Sequence, residues 1–91
     1  MAEHHLLQVT FNFEGTPKIA ELMPVFDKAT DWLRIAPNVW IIWTTSSPGD
    51  WYLRLKPQMS PKDHFYIFGI DNKVRHGWAQ QLVWDWLDKK R

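Results

Sequence analysis

Residues His5 to Phe13 set Leu7, Val9, Phe11 and Phe13 against Gln8, Thr10 and Asn12, an alternation that predicts a β-strand buried on one face. Gly15 ends it. Thr16 and Pro17 then read as an N-cap and first helical residue, and Ile19, Leu22, Met23, Phe26 and Ala29 recur at three- and four-residue spacing, forming one stripe of a helix. Pro24 lies off that stripe and lacks a backbone donor, so a kink or restart is expected there. Trp32 to Ala36 and Val39 to Thr45 read as two strands joined at Pro37 and Asn38, a hairpin.

Ser47-Pro48-Gly49-Asp50 has the spacing of a capping box, with aspartate in the third helical position and proline in the first. It predicts a second helix with Trp51, Tyr52, Leu55 and Met59 inward, limited in length by Pro57. Ser60 to Asp63 is a turn. His64 to Ile70 is a last strand, closed by Asp71 and Asn72. Trp78 to Lys90 predicts a third helix with Ala79, Leu82, Val83, Trp86 and Leu87 on one side, leaving Trp84 with Gln80, Gln81, Asp88 and Arg91 on the other.

Strand, helix, strand, strand, helix, strand and an added helix is the split βαβ, or ferredoxin-like, order of an α+β protein. A four-stranded antiparallel sheet carries two helices on one face. Residues 1–91 make one such domain. The run NVWIIWTT, Asn38 to Thr45, is apolar on both sides, as is His64 to Ile70. The second sheet face therefore expects a cover, either the C-terminal helix or a second copy of the chain. Trp40 and Ile42 share one face of their strand and, with Trp84, are the expected contacts of a homodimer.

Composition narrows the function classes. No apolar run approaches the ~20 residues of a membrane span, and no basic-then-apolar leader opens the chain, so a cytoplasmic location and no membrane partner are expected. With zero cysteines there is no thiol nucleophile and no thiolate metal site. A net charge of +1 is not the strong field of a non-specific nucleic-acid binder, so such a site must be a local patch; Arg54, Lys73 and Arg75 are its candidates. His4 and His5 are neighbours on an extended chain and point to opposite sides, while His64 and His76 match no metal spacing. Ser46, Ser47 and Ser60 have structural work at caps and turns, and none lies in a G-x-S-x-G context. No catalytic residue, metal ligand or cofactor is assigned.

The first strand LLQVTFNF, the central strand VWIIWTT and the last strand FYIFGID, with a short helix between the latter two, resemble in type and order the small CRISPR-associated endoribonuclease family and its toxin-like relatives. That resemblance spans Leu6 to Ile70. It implies a metal-dependent nuclease whose first strand ends in an aspartate, held near a dimer axis. This chain has Asn12 there, after Phe11, and Glu14 two residues on. A neutral amide is a much weaker magnesium ligand than a carboxylate, so Asn12 and Glu14 read as a vestigial site. The expected function is a non-catalytic dimeric interaction module, binding a protein or, weakly, nucleic acid; the alternative is a metal-dependent endonuclease or toxin of that family.

Overall fold

The computed structural model describes residues 3–90. Its elements are β1 (His5–Asn12), α1 (Ile19–Phe26), β2 (Asp31–Ala36), β3 (Val39–Thr44), α2 (Pro48–Leu55), a 3₁₀ turn at Lys56–Gln58, β4 (His64–Ile70) and α3 (Gln81–Asp88). All strands pair antiparallel in the order β2-β3-β1-β4, so β1 and β3 are central and β2 and β4 are edges. This is the four-stranded antiparallel sheet with helices that the α+β pattern predicts. None of the helices among the described residues is long and apolar enough to cross a membrane.

Period-two alternation sends Leu7, Val9 and Phe11 of β1 and Trp40 and Ile42 of β3 to one face, where α1 contributes Leu22, Val25 and Phe26 and α2 contributes Trp51 and Leu55. Trp40, Phe26 and Trp51 form a layered stack, with centroids 4.8 Å and 6.2 Å apart, and Phe11 meets Trp40 edge-on at 5.4 Å. The Trp51 indole donates to Thr44 Oγ1 at 3.1 Å inside the core. Trp40 and Ile42 are therefore not available to a second copy: both have no exposed surface, because α1 and α2 already cover them.

The outward residues of β3 and β1 make a second core with the C-terminal helix. Leu6, Ile41 and Leu87 are buried there, with Trp43, Ile70, Val83, Trp84 and Trp86 packed against them. The cover left open by the sequence pattern is thus supplied in part by α3. Its orientation differs from the expected wheel. Trp84 faces the sheet, while Leu82 is 61% exposed. The helix begins at Gln81, not Trp78, with no side-chain cap at Gln80. Residues 75–80 instead run as irregular chain beside the sheet, so the helix enters from a direction that places 83, 84 and 87 inward.

Smaller departures have similar causes. Thr16 does not cap α1; the Lys18 carbonyl takes its first bonds, from Glu21 and Leu22, both at 3.2 Å. Pro24 stands in the last turn, and the helix stops two residues later. In α2 the capping box forms as read, Ser47 Oγ accepting from Asp50 N at 3.1 Å and Asp50 Oδ2 from Ser47 N at 3.2 Å. Tyr52 is not inside; it is about half-exposed with its ring on Phe65 at 5.6 Å. Arg91 lies outside the described residues.

Candidate functional site

Strand register writes the second sheet face as three rungs. The first is Asp31, Trp43, Leu6 and Ile70; the second is Leu33, Ile41, Gln8 and Phe68; the third ends in Val39, Thr10 and Tyr66. Helix α3 packs on the first rung and reaches Ile41 of the second. Past that point the sheet is open. Gln8 Nε2 donates to Thr10 Oγ1 at 3.2 Å along its middle, and at its β4 margin Tyr66 and Phe68 stack at 6.3 Å, with 52% and 58% of their surfaces exposed.

Between the open rungs, α3 and the loop before it lies a cavity of about 520 Å³. Ile35, Ile41 and Ile70 floor it, Val83, Trp84 and Leu87 wall it, and Asn72, Arg75, His76 and Trp78 belong to its loop side. Trp78 and Val74 are almost wholly exposed on this loop, as is much of Ile35. A smaller hollow of about 400 Å³ adjoins the other end of the first rung, with His4, His5, Lys73 and Lys90 around Trp43. His4 stacks on Trp43 at 5.2 Å, and His5 Nε2 donates to the Ser46 carbonyl at 2.8 Å.

Polar clasps hold α3 over this site. At the β2 edge, Asp31 Oδ2 accepts from the Trp86 indole at 3.0 Å and pairs with Lys90 Nζ at 2.8 Å, while Lys90 also lies over the Trp86 ring. Partial burial pushes the Asp31 carboxyl up, but the Lys90 ammonium, the Trp32 backbone N–H and the Trp86 indole outweigh it and hold it below the usual carboxylate range. At the other edge, Asn72 Nδ2 donates to the Leu87 carbonyl, and Arg75 donates to Asn72 Oδ1 at 3.0 Å and pairs with Asp88.

The sequence-derived basic candidates do not converge. Arg54 is on the opposite side of the sheet, stacked over Trp51 at 4.8 Å and donating to Ser46 Oγ. Lys73 and Arg75 share the loop after β4, where Arg75 is engaged with Asn72, Asp88 and the Trp84 ring and Lys73 is exposed. Trp84, expected on the surface, is a wall of the cavity.

Asn12 ends β1 exposed and opposite His64. Glu14 follows it, and its backbone N–H donates to Asp63 Oδ1 at 2.8 Å, while Asp63 Oδ2 accepts from Ser60 N at 2.8 Å. These bonds hold the Asp63 carboxyl below its ordinary value and tie the loop after β1 to the turn before β4. Among the described residues no group of three or more histidine, aspartate and glutamate side chains is placed to hold a metal ion.

Tyr66, Phe68 and the cavity were not foreseen as a site, although the double-faced pattern of β4 carried the signal. What concealed them was the location of α3, which decides which outward residues are covered. No protein-family model, curated protein or solved structure matches the chain.

Proposed function

We propose that this protein is a non-catalytic interaction module that works as a homodimer through the β4 margin of its second sheet face. The observation that carries the reading is the Tyr66–Phe68 pair. Two stacked rings, each more than half exposed, stand on an edge strand beside a cavity with an isoleucine floor and a polar loop side. Leaving such surface in water is unfavourable by about 25 cal/mol per Å², and contiguous exposed apolar patches mark contact surfaces. Aromatic residues are also the side chains that interface cores favour.

Light scattering at micromolar concentration is expected to give about twice the 10.9 kDa chain mass. Replacing both rings, Tyr66→Lys with Phe68→Lys, should return the mass to that of one chain with the thermal midpoint little changed. A wild-type protein that scatters as one chain at every concentration refutes the reading.

The non-catalytic half rests on Asn12. Its side chain is a neutral amide where metal-dependent hydrolysis of a phosphodiester needs anionic ligands, and the neighbouring Asp63 carboxylate is held by Glu14 N and Ser60 N. RNA and DNA incubated with magnesium or manganese should remain intact. Cleavage that Glu14→Ala abolishes would move the protein to the nuclease class.

A further inference from the structure

The two edges of the sheet are not equivalent. Strand β2 has six residues, carries Asp31 and Arg34, and has an irregular register between Arg34 and Ala36, the devices by which proteins prevent one sheet edge from pairing with another. Strand β4 has none of these. It is the longer edge, pairs with β1 in unbroken register, and has no charged side chain or proline from Phe65 to Ile70.

We infer that β4 pairs antiparallel with β4 of a second copy about a two-fold axis at Ile67, joining two four-stranded sheets into one of eight strands. The inference rests on the dimer reading above and names its contact. Its evidence is the symmetry of the strand about its centre. Pairing about Ile67 sets Tyr66 against the partner's Phe68 and Phe68 against the partner's Tyr66, continuing the stacked pair into a four-ring ladder on the second face. On the opposite face it sets Phe65 against the partner's Gly69, where the absent side chain leaves room for a ring: nothing lies within 4 Å of a Cβ built at Gly69. Positions symmetric about Ile67 are an even number of residues apart. Paired residues therefore turn their backbone groups the same way, as an antiparallel ladder requires.

Charge selects the occupant. A two-fold contact brings like side chains together, which penalises a charged edge and spares the span Phe65 to Ile70. The paired edges and four half-exposed rings would bury roughly 1,000 Å² in total, the lower bound for a specific interface. A dimer that dissociates in the micromolar range is the consequence.

The chain has no cysteine, so single cysteines can report the register. Directly opposed strand residues lie within disulfide reach, whereas diagonal neighbours at about 7–8 Å do not. A mixture of Tyr66→Cys and Phe68→Cys proteins is expected to cross-link at least about tenfold faster than either protein alone. Gly69→Lys is the companion variant. Gly69 does not have a positive φ, and its Cβ position is open, so the monomer should fold with an unchanged thermal midpoint. The added side chain meets the partner's Phe65, and dimer dissociation should rise at least about tenfold. A wild-type dimer whose mixed cysteines gain no rate and whose Gly69→Lys form stays dimeric overturns the edge pairing alone. A wild-type monomer overturns the dimer reading as well.

Discussion

Thr44 shows how one buried polar atom can organise several neighbours. Its Oγ1 accepts from the Trp51 indole and from Ser46 N, both at 3.1 Å, at a site only 1% exposed. Thr44→Val keeps the shape and removes both acceptors. The indole N–H is then left unpaired in the core, and chemical denaturation should report a loss of about 1–3 kcal/mol. The Trp40 indole is the contrast. Its Nε1 is buried without a hydrogen-bond partner among the described residues, and the Arg34 guanidinium lies over its ring at 4.8 Å. Asp63 acts through its charge. Because Glu14 N and Ser60 N hold its folded carboxyl below the ordinary aspartate value, its stabilising contribution is present above that value. It is lost as the pH falls through the lower, folded value. Asp63→Asn should therefore flatten the decline in thermal midpoint below about pH 4 while leaving its shape near neutrality unchanged.

At the scale of the element, α2 and α3 are held by different means. The capping box at Ser47 is local, so Ser47→Ala should destabilise the fold by about 1 kcal/mol in urea titrations without disturbing α3. Helix α3 has no side-chain cap and only eight residues, too few to persist by backbone bonds alone. It depends on Leu87 and Trp84 against the sheet and on the clasps at both edges. Asp31→Ala removes the acceptor shared by Trp86 and Lys90. Amides of Val83 to Asp88 should then exchange with solvent faster while those of β1 and β3 keep their protection. Equal loss across the sheet would show that Asp31 supports the whole fold, not the helix alone.

For the whole molecule, charge and apolar surface point to different partners. Lys73 and Arg75 lie beside the second face, but Arg54 faces the other way, and among the described residues no basic stripe links the three. Nucleic-acid binding, where it occurs, should be weak and fall steeply between 50 and 200 mM salt, roughly the range over which counterion release acts on phosphate contacts. Filter binding across that range checks it, and tight binding that survives high salt would contradict it. The proposed β4 pairing, with no charged side chain from Phe65 to Ile70, should carry no such salt dependence. Raising salt should leave the dimer intact and so separate the two kinds of contact.

Local chemistry determined most of the elements. Alternation marked β1, the Pro37-Asn38 break marked the hairpin, the doubly apolar runs marked β3 and β4, and Ser47 with Asp50 marked the start of α2, because each signal depends on neighbours within a few residues. The apolar pattern on both sides of β3 also called for a cover on the second face, which α3 supplies over the first rung and Ile41 alone. It did not say which residues belonged to which cover. Trp40 and Ile42 pass under α1 and α2, and Trp84 turns inward, because those positions follow from where helices far along the chain come to rest. The open rungs, the cavity and the unguarded edge at β4 are likewise products of assembly. A strand's sequence encodes which of its side chains are apolar, but only the packing of α3 on the first rung decides that Leu6 and Ile41 are covered while Tyr66 and Phe68 remain in water.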